Sequence, residues 1–247
     1  MIGDLRAETI DIEGANGDRV EAYLAQPLDT TPRGGVVVIH HMPGYDTGTK
    51  EITRTFAANG YLAICPNLHS REAPGADPDD AAAAVRANGG VPDDRFVGDV
   101  GGAVEYLRSL PASNGKVGTI GYCSGGRQSF LAGISLDVDA AVNCYGAFVV
   151  GIPPKDFPLQ VVPLVDRTDE LRCPLLGLFG AEDKYPTPEH VAELEQALIK
   201  AGKTYEFHSY QNAGHAFFAV DRPAYRPEAA VDGWKKIWSF YGKYLSA

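Results

Sequence analysis

Cations are scarce in this chain. Lys and Arg total 22 against 32 Asp and Glu, a formal net charge of −10. That balance argues against a nucleic-acid partner, because phosphates need basic side chains. Long apolar runs are also missing; nothing approaches the ~20 residues of a membrane-spanning helix, so no membrane partner is expected. The start, MIGDLRAETIDIEG, has neither a basic opening nor an apolar stretch and does not read as a secretory leader. Cysteine is sparse, with four residues at 65, 123, 144 and 173, and no C-x-x-C pair suggests a zinc site. Two disulfides are conceivable. However, Cys65 and Cys144 lie in apolar, strand-like runs, and a chain of 247 residues needs no covalent staples. Reduced thiols and a cytoplasmic location are the expectation.

What is present is strand and helix in alternation. AETIDIE and VEAYLAQP flank the turn Ala15-Asn16-Gly17-Asp18, in which Asn-Gly is a strong hairpin signal. GGVVVIH, residues 34–40, is an uninterrupted β-branched run, as suits a strand buried on both faces of a parallel sheet. Further strands are expected at 61–66, 116–122, 139–146, 174–180 and 204–210. Helices are expected at 49–59 and at 94–109, where Val97, Val100, Val104 and Leu107 share a face. Another runs from the Thr187 cap and Pro188 to Gly202, with Val191, Leu194, Leu198 and Ala201 on one side. The last, about 227–245, places Val231, Trp234, Trp238, Tyr241 and Leu245 on a core face. The sum is one α/β domain over residues 1–247, with a mainly parallel sheet covered on both faces. Two irregular excursions, 68–93 (with a short Ala-rich helix) and 147–173, are candidate pocket walls, since ligands bind at the carboxyl ends of such strands.

The chemistry centres on Gly121-Tyr122-Cys123-Ser124-Gly125, a G-x-S-x-G nucleophile elbow with cysteine in the middle. KVGTIGY supplies the strand before it and RQSFLAGIS the helix after it. A helix N-terminus stabilises negative charge, and a thiolate attacks far better than a neutral alcohol. Ser124 is the alternative nucleophile, but the frame presents its backbone N–H rather than its hydroxyl. After Cys123 come three histidines. His190 falls in a helix and His208 in a strand, which leaves His215, in the loop NAGHAFF, as the base. Asp183, after the strand PLLGLFG, is the orienting acid, with Glu182 as rival. The second oxyanion donor must come from His40-His41-Met42-Pro43-Gly44; Pro43 has no N–H, so Met42 or His41 supplies it, alongside Ser124 N–H. The paired histidines raise a metal site, but no third ligand stands at useful spacing. No metal or cofactor is expected.

The stretches PNLHSREAPG, SNGKVGTIGYCSGG, FGAEDKYPTP and YQNAGHAFF, spanning roughly residues 8–245, together resemble the dienelactone hydrolase family of α/β-hydrolases. The resemblance implies that fold, a small-molecule lactone or ester substrate, and no cofactor. It also implies Cys123 as nucleophile, His215 as base, Asp183 as acid, and Met42 and Ser124 as oxyanion donors. The chain departs from the family at two points. His41 stands where the well-known members carry a glutamate that helps activate the thiol. Those members also hold a substrate carboxylate with two arginines. Here the first arginine after His215 is Arg222, and Arg86 lies near the other position. His41, Arg86, Tyr145 and Phe217 are therefore candidates for tuning the thiol or contacting substrate. The rival functions are a broader carboxylesterase or thioesterase with the same three residues, and a non-catalytic ligand-binding module on this fold.

Overall fold

The computed structural model describes residues 4–42 and 44–246. Strands β1 (Leu5–Glu13) and β2 (Arg19–Pro27) form the hairpin, and at its turn Asn16 and Gly17 both take positive φ, 58° and 79°. That pair of left-handed residues is what the Asn-Gly signal encodes. The chain continues through β3 (Arg33–Ile39), α1 (Thr47–Ala58), β4 (Leu62–Pro66), α2 (Pro78–Ala87), α3 (Asp93–Ser109) and β5 (Ser113–Tyr122). It then runs through α4 (Ser124–Ser135), β6 (Ala140–Cys144), β7 (Leu175–Gly180), α5 (Pro188–Lys200), β8 (Tyr205–Tyr210) and α6 (Pro227–Tyr244). The eight strands form one sheet in the order β1-β2-β4-β3-β5-β6-β7-β8. β2 pairs antiparallel with β1 and with β4, and every pairing from β4 to β8 is parallel. This is an α/β-hydrolase sheet.

The β-branched run of β3 divides between two cores. Val37 and Ile39 join Phe96, Val104, Leu107 and Phe130 of α3 and α4 on one face. Val36 and Val38 join Phe56 of α1 and Ile237, Phe240 and Tyr241 of α6 on the other. A strand buried on both faces has no polar side to alternate, which explains the unbroken apolar sequence. The last helix differs from its expected register. Val231 is 52% exposed, and the buried stripe runs through Ala230, Gly233, Ile237 and Tyr241. Trp234 and Trp238 stack on each other at the border of that stripe, with Phe56 edge-on to both. Their width covers the seam, so Val231 stays outside it.

A buried charge ties the N-terminal hairpin to this frame. Asp99, on α3, is fully buried and accepts from Ala15 N–H at 2.9 Å. Arg71 meets it with two parallel bonds of 2.7 and 2.8 Å and reaches Asp18 as well. Removing one partner of such a pair strands a desolvated charge. Asp99→Asn should therefore lower the unfolding free energy by about 3 kcal/mol, read as a lower urea midpoint with an unchanged slope. A loss within error would show that the bidentate pair contributes little.

Candidate active site

Cys123 sits between β5 and α4 with φ 57° and ψ −121°, a strained conformation for a residue with a side chain. The strain persists because the surroundings leave the backbone no alternative. A Cβ on Gly121 would lie 1.9 Å from the carbonyl oxygen of Gly125, and one on Gly125 would lie 2.5 Å from that of Ile39. The strand and helix thus meet backbone to backbone, which requires glycine on both sides of the turn. Cys123 N–H is held by Cys144 C=O at 3.1 Å. Ser124 begins α4, and an N–H in the first turn has no intrahelical partner.

The other expected site residues converge from neighbouring strand ends. His215 Nδ1 lies 2.8 Å from Asp183 Oδ2, and Asp183 Oδ1 accepts Tyr185 N–H at 2.9 Å. The loops carrying them are joined where Glu182 N–H donates to Ala213 C=O at 2.9 Å. Asp183 is buried, whereas Glu182 is exposed, so the carboxylate facing the imidazole is that of Asp183. Burial works against a charge on His215. The hydrogen bond His215 donates to Asp183, and the negative charge of Asp183 and of the nearby Cys123, outweigh it and push the histidine up to about 10. Tyr145 backs the ring, edge-on at 5.0 Å.

These groups open onto a cavity of about 520 Å³. Cys123, Ser124, Met42, Asp183 and His215 all border it. Its apolar wall comes from Phe148, Phe157, Leu159, Val161 and Tyr185. The two excursions meet above it, where Gln160 N–H donates to Gly89 C=O at 2.7 Å. Arg127, on α4, braces that cover. It grips Asp93 with two bonds of 2.8 Å and donates to Val162 C=O at 2.7 Å.

Four sequence candidates sit outside the cavity lining. His41 turns toward Asp46, 3.7 Å away, and burial lowers its pKa against the pull of that carboxylate. Arg86 donates to Met42 Sδ at 3.6 Å without itself bordering the cavity. Tyr145 and Phe217 are buried, and they pack on each other at 5.2 Å behind His215. The apolar wall comes from the 147–173 excursion and Tyr185 rather than from Phe217, because the residues after His215 turn inward to the α6 core. Arg222 is exposed, and Pro43 lies outside the described residues. His40, half of the suspected metal pair, is a structural strap: Nδ1 donates to His41 C=O and Nε2 accepts Leu68 N–H, both at 3.1 Å. Burial, then the neighbouring His69, hold it well below the usual histidine range. Among the described residues, no cluster of three His, Cys, Asp or Glu could hold a metal ion. Sequence reasoning missed His69 and Arg127 as cavity residues. Arg127 had a signal, being four positions past the elbow cysteine, hence one turn along the same helix; His69 had only its place in an excursion.

Because the folded-state pKa of His215 stands above its ordinary value of 6.5, its pairing stabilises the native chain fully below that pH. The contribution is lost as pH rises through about 10. Asp183→Asn should bring the His215 titration, followed by NMR, down by at least about one unit, because burial then acts with less opposition. An unmoved titration would mean that Asp183 does not hold the proton in place.

The dienelactone hydrolase family model matches residues 20–245. A Pseudomonas putida carboxymethylenebutenolidase is 32% identical over 230 residues, covering 91% of each chain. A Synechocystis protein named "Putative carboxymethylenebutenolidase" is 30% identical over 242 residues, 96% of each chain. The crystal structure of a Klebsiella pneumoniae protein titled "Putative Dienelactone Hydrolase" superposes with a TM-score of 0.86 at 28% identity, covering 98% of this chain and all of that one. With the family model spanning nearly the whole sheet and its site loops, the chain belongs to the dienelactone hydrolase family, hydrolases of ester and lactone bonds.

Proposed function

We propose that this hydrolase cleaves its lactone or ester through Cys123, His215 and Asp183. The observation that carries the reading is a strained elbow cysteine facing the same cavity as an imidazole paired 2.8 Å from a buried carboxylate. The sulfur of Cys123 attacks the carbonyl carbon and gives its proton to His215. The tetrahedral oxyanion accepts from Met42 and Ser124 N–H. Its collapse breaks the carbon–oxygen bond, and His215 gives its proton to the leaving alcohol. Neutral His215 then takes a proton from water, which attacks the thioester, and the returning sulfur restores the starting pair. Asp183 fixes the tautomer throughout.

A second reading, a broader carboxylesterase or thioesterase with the same residues, gains support from the apolar wall of Phe148, Phe157, Leu159 and Val161. The substrate is in either case a small molecule. The four free cysteines suit a cytoplasmic setting, and no helix among the described residues is long and apolar enough to cross a membrane. A panel of lactones against 4-nitrophenyl esters separates the two readings.

Cys123→Ala should lose at least about a thousandfold in kcat/KM, while Ser124→Ala stays within severalfold because its backbone N–H survives. Asp183→Asn should cost roughly a hundredfold or more and Glu182→Gln little. Equal losses for Cys123→Ala and Ser124→Ala would reassign the nucleophile. In the native protein, iodoacetamide should label Cys123 ahead of the other three thiols. Burial raises the pKa of Cys65, Cys144 and Cys173, the last pushed up to about 12. Mass mapping that finds another cysteine labelled first would count against the assignment.

A further inference from the structure

The cavity has two unlike ends. Toward β6 and β7 it is the apolar wall already described. Toward β3 and β4 it is closed by His69, just after β4. This ring is 96% enclosed, being only 4% exposed, and packs edge-on against His40 at 4.5 Å. Its Nδ1 is buried without a hydrogen-bond partner. Gly44 is what lets the ring sit there, since a Cβ at that position would come within 2.8 Å of Nδ1. His40 beside it has both nitrogens engaged. A buried imidazole nitrogen without a partner is costly, and a ring of this kind that borders a ligand cavity points to a partner on the ligand.

The proton is best placed on Nε2. An unpaired acceptor costs less than an unpaired N–H, so the bare lone pair belongs at Nδ1 against Gly44. Nε2–H is then a donor at the cavity end. Burial, reinforced by the charges of Arg95, Arg86 and His41, holds His69 down to about 4, so the ring is neutral at working pH. The direction of the substrate follows from the catalytic geometry. His215 enters from beyond β8 and must reach the leaving oxygen, so the alcohol arm lies toward the apolar wall. The acyl arm then lies toward β3 and β4. No unpaired arginine borders the cavity there: Arg127, which lines it, is committed to Asp93, and Arg86, beside Met42 Sδ, lies outside the lining. Lys184 borders it after β7, on the side of the apolar wall.

We propose that His69 is a specificity-determining residue, donating from Nε2 to an uncharged oxygen (ether, hydroxyl or carbonyl) on the acyl arm of the ester or lactone. The proposal rests on the catalytic reading above, which orients the two arms.

The test uses 4-nitrophenyl methoxyacetate and 4-nitrophenyl butyrate, which differ by one oxygen in place of a methylene. Comparing the ratio of their kcat/KM values between proteins cancels their intrinsic reactivities. His69→Leu should lower that ratio roughly five- to tenfold, the loss of one hydrogen bond, and His69→Asn should recover part of it. An unchanged ratio overturns the proposal. A binding measurement covers the case in which the leucine variant does not fold. In Cys123→Ala protein with His69 intact, N-(4-nitrophenyl)methoxyacetamide should bind about fivefold tighter than the butyramide, and tighter than N-(4-nitrophenyl)succinamate. It should also shift the ¹⁵N resonance of His69 Nε2. Equal affinities, or tightest binding of the anionic succinamate, overturn the proposal. Selective binding of the methoxyacetamide without any ester turnover by the native protein supports the His69 contact and rejects the triad. Turnover without selectivity does the reverse.

Discussion

The backbone of Cys123 is the constraint on which the site depends. A residue with a side chain is held at φ 57° because β5 and α4 approach too closely for any other path. That closeness comes from Gly121 and Gly125, whose missing side chains let carbonyl groups of the helix and of β3 come into contact distance. The result is mechanical: the thiol is lifted above the sheet edge, at a helix N-terminus, where the loops from adjacent strands can reach it. The strain is sustained by both buried cores, since moving the turn would separate α4 from β5.

Parallel pairing does the rest of the assembly. Because β3 through β8 run in one direction, the loops after β3, β5, β7 and β8 all end at the same edge. His215 and Asp183, 32 residues apart, become hydrogen-bonded neighbours through adjacent strand ends. His40 performs a similar service without chemistry, binding the loop after β3 to the loop after β4.

Charge around the cavity is largely settled within the protein. Arg127 is neutralised by Asp93, Arg71 by Asp99, and Arg95 is paired with Glu72. These pairs hold the excursions over the cavity rather than facing into it. Besides Glu182, Lys184 and the paired Asp183 and His215, the wall offers an apolar side, a neutral histidine at one end, and Cys123 between them. Such a lining suits a substrate recognised by shape and a few hydrogen bonds more than one recognised by its charge.

Local chemistry was enough to read much of this protein from its sequence. The Asn-Gly turn, the β-branched run of β3, the Thr187 cap and the glycines around Cys123 each encode a backbone requirement that only a few residue types meet. The order of cysteine, aspartate and histidine, each after a strand, located the catalytic candidates for the same reason. Tertiary structure alone decided which way side chains beyond those turns would face. Phe217 and Tyr145 look like pocket residues by position, yet they pack behind His215 because the chain there bends into the α6 core. His41 follows Asp46 rather than the thiol, and Val231 is displaced from its face by two stacked tryptophans. His69 gained a place in the cavity only when its own excursion met the distant 147–173 excursion above it. A sequence period reports a face; it carries no information on what long-range packing brings opposite that face.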